Sequence, residues 1–262
     1  MKIAVLGAKG FVGRNLVAHF KQNHAVLEIT RDNLNLLDFN AVKIFLKSAE
    51  LDCVICCAAT MSNTQNDITN NFGIVLNFYQ NRHLFNKFIN TASGAEYDRS
   101  RNVEQAFEHE IFNILPSDSY GLGQNLRSRL AVTAENFYNL RIFNCFGPGE
   151  IPTRIFPKFL NTATDFKITD NRFFDYFSIH DLVEVVDYYV NEPKPFYKDI
   201  NCVYPNKYRI NEVLEMFKDI HNIRQKIIVD SESKNNYTGD WKKLNNLPIK
   251  LTGLIRGLQD YK

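Results

Sequence analysis

Seven residues near the start leave this chain few folds to choose from. Gly7-Ala8-Lys9-Gly10-Phe11-Val12-Gly13 follows the short apolar strand pattern Lys2–Leu6 and opens a segment, Phe11 to Asn23, with apolar residues at helical spacing. Glycine at the first position permits a tight turn. At the second it lets a ligand's pyrophosphate approach the backbone, and at the third it lets the helix pack close to the strand. The helix that begins there offers free N–H groups and the positive end of its dipole to phosphate. With a strand before, a helix after and a second strand at Ala25–Ile29, the loop reads as the phosphate-binding turn of a parallel α/β sheet. Gly7, Lys9, Gly10, Phe11, Val12 and Gly13 are therefore candidate dinucleotide contacts.

The alternation continues for the first half of the chain. Helical patterns at Ala41–Ser48, Ile68–Arg82 and Asp118–Tyr138 separate strand patterns at Asp52–Ala58, Lys87–Thr91 and Leu140–Asn144. This predicts a Rossmann-type, doubly wound parallel sheet with helices on both faces, and ligands at the carboxyl ends of its strands. After Gly147-Pro148-Gly149 the pattern loosens and prolines punctuate it. Residues 1–149 read as the dinucleotide-binding domain and 150–262 as a small substrate-covering lobe, with helical stretches near Ile155–Asn161, Asp181–Val190 and Asn211–His221.

Composition excludes several classes. A chain of 262 residues with 45% apolar residues can build a full core, and a net charge of +2, with scattered Lys and Arg, argues against nucleic acid and acidic membrane surfaces as partners. No apolar run approaches the roughly 20 residues that span a bilayer, and Met1–Leu6 is too short for a signal-peptide core, so the expected location is the cytoplasm. Five cysteines are an odd count for a disulfide framework. Cys53, Cys56 and Cys57 lie in a strand pattern, where residues three apart face opposite ways. They read as small buried hydrophobes, and no metal site is expected.

Cofactor choice is made just beyond the second strand, where an adenosine ribose would lie. An acidic residue there accepts from a 2′-hydroxyl, whereas cations there receive a 2′-phosphate. The chain reads Glu28-Ile29-Thr30-Arg31-Asp32. Arg31, assisted by Lys9 from the glycine loop, favours NADP. Asp32 is the argument for NAD.

Three further segments carry a resemblance. They are Asn90-Thr91-Ala92-Ser93-Gly94-Ala95-Glu96-Tyr97, then Tyr120-Gly121-Leu122-Gly123-Gln124, then Leu140-Arg141-Ile142-Phe143-Asn144-Cys145-Phe146-Gly147-Pro148. Together with the glycine loop they resemble the extended short-chain dehydrogenase/reductases, the NAD-dependent epimerase/dehydratase branch that modifies nucleotide sugars. Thr30–Asp38 is in addition similar to the corresponding stretch of the GDP-fucose synthase-like reductases. The resemblance implies that Ser93 and Tyr120 are catalytic, and that Ser93 also contacts substrate. It implies that Asn35 and Leu36 border an adenine and that Ala58-Ala59-Thr60 pass beneath the middle of the cofactor. It further implies that Asn144 binds substrate and that Arg172 grips a diphosphate, although Phe174 holds the position of the family's arginine. His180, before a helix start, reads as structural. A homodimer through two helices per subunit is implied as well.

One element departs from the pattern. The family places a lysine four residues after the tyrosine, and this chain has Gln124. Gln124 can still bond a ribose hydroxyl, but it carries no charge to favour tyrosinate. A tyrosine without a neighbouring cation is protonated at neutral pH, the state that carbonyl reduction needs. Arg127 lies about 10 Å further along the helix, a poor replacement by distance. The resemblance then implies an NADPH-dependent reductase of a 4-keto nucleotide-diphosphate sugar, in a deoxysugar pathway for surface polysaccharide. An epimerase of the same substrates, or a dinucleotide-binding protein without turnover, are the alternatives.

Overall fold

The computed structural model describes residues 1–261. Its strands are β1 (Lys2–Leu6), β2 (Ala25–Ile29), β3 (Leu51–Cys56), β4 (Phe85–Ser93), β5 (Val103–Ala106), β6 (Phe137–Ile142), β7 (Cys145–Phe146), β8 (Phe166–Ile168), β9 (Phe177–Ser178), β10 (Asp199–Cys202), β11 (Ile227–Val229) and β12 (Tyr237–Gly239). Its α-helices are α1 (Phe11–Phe20), α2 (Phe39–Ala49), α3 (Asn66–Gln80), α4 (Ser119–Ala131), α5 (Ile155–Asn161), α6 (Ile179–Asn191), α7 (Ile210–Ile220), α8 (Lys242–Asn245) and α9 (Leu254–Gln259). Among these residues no helix is long and apolar enough to cross a membrane.

Six strands form one parallel sheet in the order β10-β6-β4-β3-β1-β2. Alternate residues of each strand supply its two faces, as the pleat requires. Ile3, Val5, Cys53 and Ile55 join the apolar layer under α1 and α6. Ala4, Leu6, Val54 and Cys56 join the layer under α2, α3 and α4. Both faces are thus covered, which is why these strands read as nearly unbroken apolar runs. Cys53 and Cys56 do face opposite sides, and all five cysteines are unpaired.

From β1 the chain winds outward to β2, then returns to lay β3 along the other edge of β1. The winding therefore reverses between β1 and β3, and a crevice opens at the carboxyl ends of these two strands.

Two expectations need correction. The helix predicted over Asp118–Tyr138 stops at Ala131. Thr133 turns its hydroxyl back onto the Leu130 carbonyl at 2.7 Å, and Phe137 is wholly buried, stacked on Phe88 at 4.4 Å between ring centroids. Sheet packing claims Phe137 and Tyr138 for β6. A cut after residue 149 also does not separate two pieces of chain. β10 comes from the segment assigned to the second lobe, yet it pairs with β6 as the sixth strand. α6 covers the sheet, and the buried Lys87 of β4 donates to the carbonyls of Tyr189 (2.6 Å), Val190 (3.2 Å) and Glu192 (2.7 Å) at its end. What remains outside the main sheet is a layer of two-stranded pairs, β11 with β8, β12 with β5 and β7 with β9.

Candidate active site

The crevice at the switch point is a cavity of about 1110 Å³. Its walls include Gly7, Lys9, Gly10, Arg31, Asn35, Leu36, Ala58, Ala59 and Thr60, so most of the residues expected to hold a dinucleotide do meet there. Phe11, Val12 and Gly13 are not on its walls; they form the first turn of α1 behind the loop. Gly7 has φ +76°, in the left-handed region, and a Cβ on it would lie 2.9 Å from the Ala58 nitrogen. A Cβ on Gly13 would lie 2.2 Å from the Gly7 carbonyl oxygen. The loop is thus pressed between α1 and the end of β3 at distances that only glycine permits. The result is a bare backbone cradle at a helix N-terminus, which fits a pyrophosphate.

At the β2 end of the crevice, Lys9 and Asp32 form an exposed ion pair at 2.6 Å. Its hydrogen bond and charge attraction hold Asp32 below, and Lys9 above, their ordinary ionisation ranges. Asp32 is therefore already engaged by a cation, while Arg31 has no ion-pair partner among the described residues and remains available to an anion. Asn35 spends its side-chain oxygen on the Leu37 N–H (3.1 Å), and the Leu36 carbonyl accepts from Asn77 (2.9 Å). On the β3 side, the side chain of Asn71 brackets Thr60 with bonds to its N–H (2.8 Å) and carbonyl (2.9 Å). Buried Asp67 takes the Ser62 and Asn63 N–H groups at 2.8 Å each. Both anchors come from α3, so the loop that edges the crevice is fixed by side chains behind it.

Ser93, Tyr120, Gln124 and Asn144 do not form walls of this cavity. Ser93 ends β4. Its oxygen accepts the Ala95 N–H at 3.2 Å, and its backbone N–H goes to Glu96 Oε1 at 2.9 Å. The hydroxyl hydrogen is left to donate. Tyr120 is half-buried in the first turn of α4, which Asp118 caps through the Gly121 N–H at 2.8 Å. The Arg99 guanidinium lies 5.9 Å from the Tyr120 ring centroid and pairs with Asp118 at 2.9 Å. Gln124, one turn on, is 1% exposed, and neither its amide oxygen nor its nitrogen has a protein partner. An orphaned buried amide on the face of the helix that carries Tyr120 is what a ligand hydroxyl would satisfy.

Asn144 accepts from the Arg154 guanidinium and is held in place by it, with its carbonyl taking the Phe177 N–H at 2.8 Å. Arg172 is not brought to the crevice walls. It pairs with Asp170 at 2.9 Å and lies 5.6 Å from the Phe174 ring centroid. His180 is the first-turn residue whose N–H the Ser178 hydroxyl caps at 3.2 Å.

Three residues beneath the site carry more than the sequence reading gave them. Glu96 is fully buried. Its Oε1 takes the Ser93 N–H and the Ser128 hydroxyl (2.8 Å), and its Oε2 takes Arg141 Nε at 2.8 Å. Arg141 also pairs with Asp199 at 3.0 Å. One carboxylate thus ties the end of β4 to α4 and to β6. The available signal was a charged residue inside an apolar strand, Leu140-Arg141-Ile142, which a buried position tolerates only when paired. Tyr237 reaches in from β12, and a Cβ on Gly94 would lie 2.6 Å from its hydroxyl. Burial pushes that hydroxyl's ionisation well above the usual tyrosine range, so it stays a donor. No local pattern marks Tyr237, since only the tertiary fold brings it to Gly94.

Comparison with known proteins agrees with this geometry. Residues 3–202 match the model of the NAD dependent epimerase/dehydratase family. No curated protein sequence matches the chain. Among solved structures, a dTDP-4-dehydrorhamnose reductase ortholog from Clostridium acetobutylicum superposes with a TM-score of 0.85 at 18% identity, over 100% of this chain and 98% of that one. A GDP-mannoheptose C4 reductase from Campylobacter jejuni, with NADP bound, gives 0.80 at 20% identity, over 99% and 96%. A GDP-L-fucose synthetase from Naegleria fowleri, bound to NADP, gives 0.81 at 17% identity, over 99% and 90%. At these identities the likeness is one of fold.

Proposed function

Because the chain belongs to the NAD dependent epimerase/dehydratase family, we propose that it is an NADPH-dependent reductase of a 4-keto nucleotide-diphosphate sugar. The observation that carries the reading is a glycine cradle that fits a dinucleotide, in a chain whose α4 carries Tyr120 and, one turn on, the buried and unpartnered amide of Gln124 where the family has lysine. Solved neighbours that reduce nucleotide sugars, two of them with NADP bound, support it.

In this reading Gly7, Gly10 and the α1 N-terminus hold the pyrophosphate, with Phe11, Val12 and Gly13 shaping the turn. Arg31 meets the 2′-phosphate, Asn35 and Leu36 border the adenine, and Ala58-Ala59-Thr60 support the middle of the cofactor. Gln124 bonds a ribose hydroxyl with its otherwise unpartnered amide. The reduced dinucleotide supplies hydride to the carbonyl carbon. Ser93 donates a hydrogen bond to the carbonyl oxygen, and Tyr120 gives that oxygen its proton. Asn144 contacts the sugar and Arg172 the diphosphate.

The missing charge at 124 sets the direction, since the cation that does lie near Tyr120, Arg99 at 5.9 Å from its ring centroid, is already paired with Asp118 at 2.9 Å. Reduction begins from a protonated tyrosine, whereas oxidation and epimerisation through a keto intermediate begin from tyrosinate. The substitution therefore costs a reductase less. We further propose a cytoplasmic homodimer, acting in a deoxysugar pathway for surface polysaccharide. The dimer would form through α3 and α4, where Phe72, Leu76, Leu122 and Leu126 stay half-exposed and outside the core.

The test is NADPH consumption by the purified protein over GDP-, dTDP-, CDP- and UDP-linked 4-keto sugars, with Tyr120→Phe as control. Turnover on one of them that the control lacks supports the reading. Interconversion of two sugars without net NADPH use would replace it with epimerase, and tight NADPH binding with silence on every sugar would replace it with a binding role.

A further inference from the structure

Arg127 shares a face of α4 with Tyr120 and Gln124, at intervals of three and four residues, and none of it reaches solvent. Its guanidinium donates to Asn90 Oδ1 from Nε at 3.0 Å and again from Nη2. It also donates to the Ala58 carbonyl from Nη1 at 3.0 Å and touches Cys56 Sγ at 3.5 Å. Every one of these partners is neutral. Burial pushes the Cys56 and Cys57 thiols up, Cys57 to about 12, so neither is a thiolate at neutral pH. No carboxylate pairs with Arg127 among the described residues. The contrast is Arg141, equally buried, which has both Glu96 and Asp199.

A buried cation without a counter-ion is strongly destabilising, so its position calls for a reason. Ala58, whose carbonyl it holds, is a wall of the crevice. The charge therefore lies one peptide behind the surface that a dinucleotide would touch. With the pyrophosphate on the glycine loop and the adenosine at Arg31–Leu36, the nicotinamide half runs the other way, over Ala58 toward β4 and α4.

We propose that Arg127 is a positioning residue whose fixed charge selects the redox state of the bound dinucleotide. It favours the reduced form, with its neutral ring, over the oxidised form, with its cationic ring. This inference rests on the dinucleotide reading above. It gives the site a second bias toward reduction besides Gln124: the oxidised product is repelled and released. The phosphates are common to both forms, so the ratio of their affinities isolates the ring. Across roughly 10 Å at an effective dielectric of about 20, a single charge is worth on the order of tenfold in that ratio.

The experiment is calorimetric titration with NADPH and NADP⁺, and with NADH and NAD⁺, comparing each reduced–oxidised pair within itself. It uses the native protein, Arg127→Met, Arg127→Lys and Asn90→Asp. Asn90→Asp sets a carboxylate on the guanidinium and neutralises it without removing a side chain. The expected result is reduced over oxidised by about tenfold in the native protein and in Arg127→Lys. In Arg127→Met and Asn90→Asp the two forms should bind within about threefold of each other. A cooperative thermal melt shows which variants fold, and if Arg127→Met does not, Asn90→Asp and the native ratio decide. Equal native affinities, or a folded neutralised variant that keeps the native ratio, would overturn this inference and leave the reductase reading standing. Failure of the native protein to bind any dinucleotide would overturn both.

Discussion

Tyr120 and Ser93 reach their positions through neighbours that do no chemistry, Asp118 at the helix cap and Glu96 under the strand end. Replacing Tyr120 by Phe removes the proposed proton donor and leaves those supports in place. Turnover should fall by ~10²–10⁴-fold while dinucleotide affinity, measured by fluorescence titration, stays within about threefold. Arg31→Ala should weaken NADPH on the order of tenfold and leave NADH unchanged; equal weakening of both would remove Arg31 from the 2′-phosphate. That the glycine loop and Arg31 share one crevice follows from local patterns, a bare turn before a helix and a cation at a strand end, whereas Ala58–Thr60, which lines the same crevice, was reached through the family resemblance. Glu96, Arg127 and Tyr237 were legible by neither route. Their roles depend on what lies across the sheet: Arg141 inside an apolar strand signals that a partner is needed but not that it is Glu96, and nothing in the local spacing says that no carboxylate meets Arg127.

At the scale of elements, β1, β2, β3, β4 and β6 fall where the strand patterns lie, whereas the short polar β5, paired only with β12 outside the main sheet, carries no such pattern. The helix end placed beyond Ala131 failed because Phe137 and Tyr138 continue an apolar pattern that suits helix or strand equally until Phe88 is known to lie beside them. The junction of α6 with β4 was likewise hidden. Lys87 looks like a solvent-facing strand residue but serves as the C-terminal cap of a helix about a hundred residues later. Lys87→Met leaves those carbonyls without their donor and should cost about 1–3 kcal/mol. Urea denaturation reads this directly, and an unchanged midpoint would show that water replaces the ammonium.

For the whole molecule, buried Asp175 joins the outer layer to the core, accepting from Lys207 at 2.8 Å and from the Gly239 N–H at 2.8 Å. Burial raises its carboxyl from the usual 3.8 to about 6, against the pull of Lys207. The folded state therefore binds the proton more tightly than the unfolded chain. The stability this group contributes is present below about pH 4 and is lost as pH rises toward 6. Asp175→Asn should flatten that part of a stability–pH curve, and an unchanged slope between pH 4 and 6 would contradict the assignment. Association belongs to this scale too: Leu126→Glu, on the half-exposed face of α4, should yield monomers in light scattering if α3 and α4 form the dimer. The measurement that bears most directly on the central claim follows the 340 nm absorbance of NADPH while the native protein and Gln124→Lys meet the same panel of 4-keto nucleotide sugars. The account predicts that the native protein consumes NADPH on at least one of them, with Gln124 in place. Turnover by Gln124→Lys alone would contradict it, because the native site would then bind a dinucleotide without completing the proton transfer.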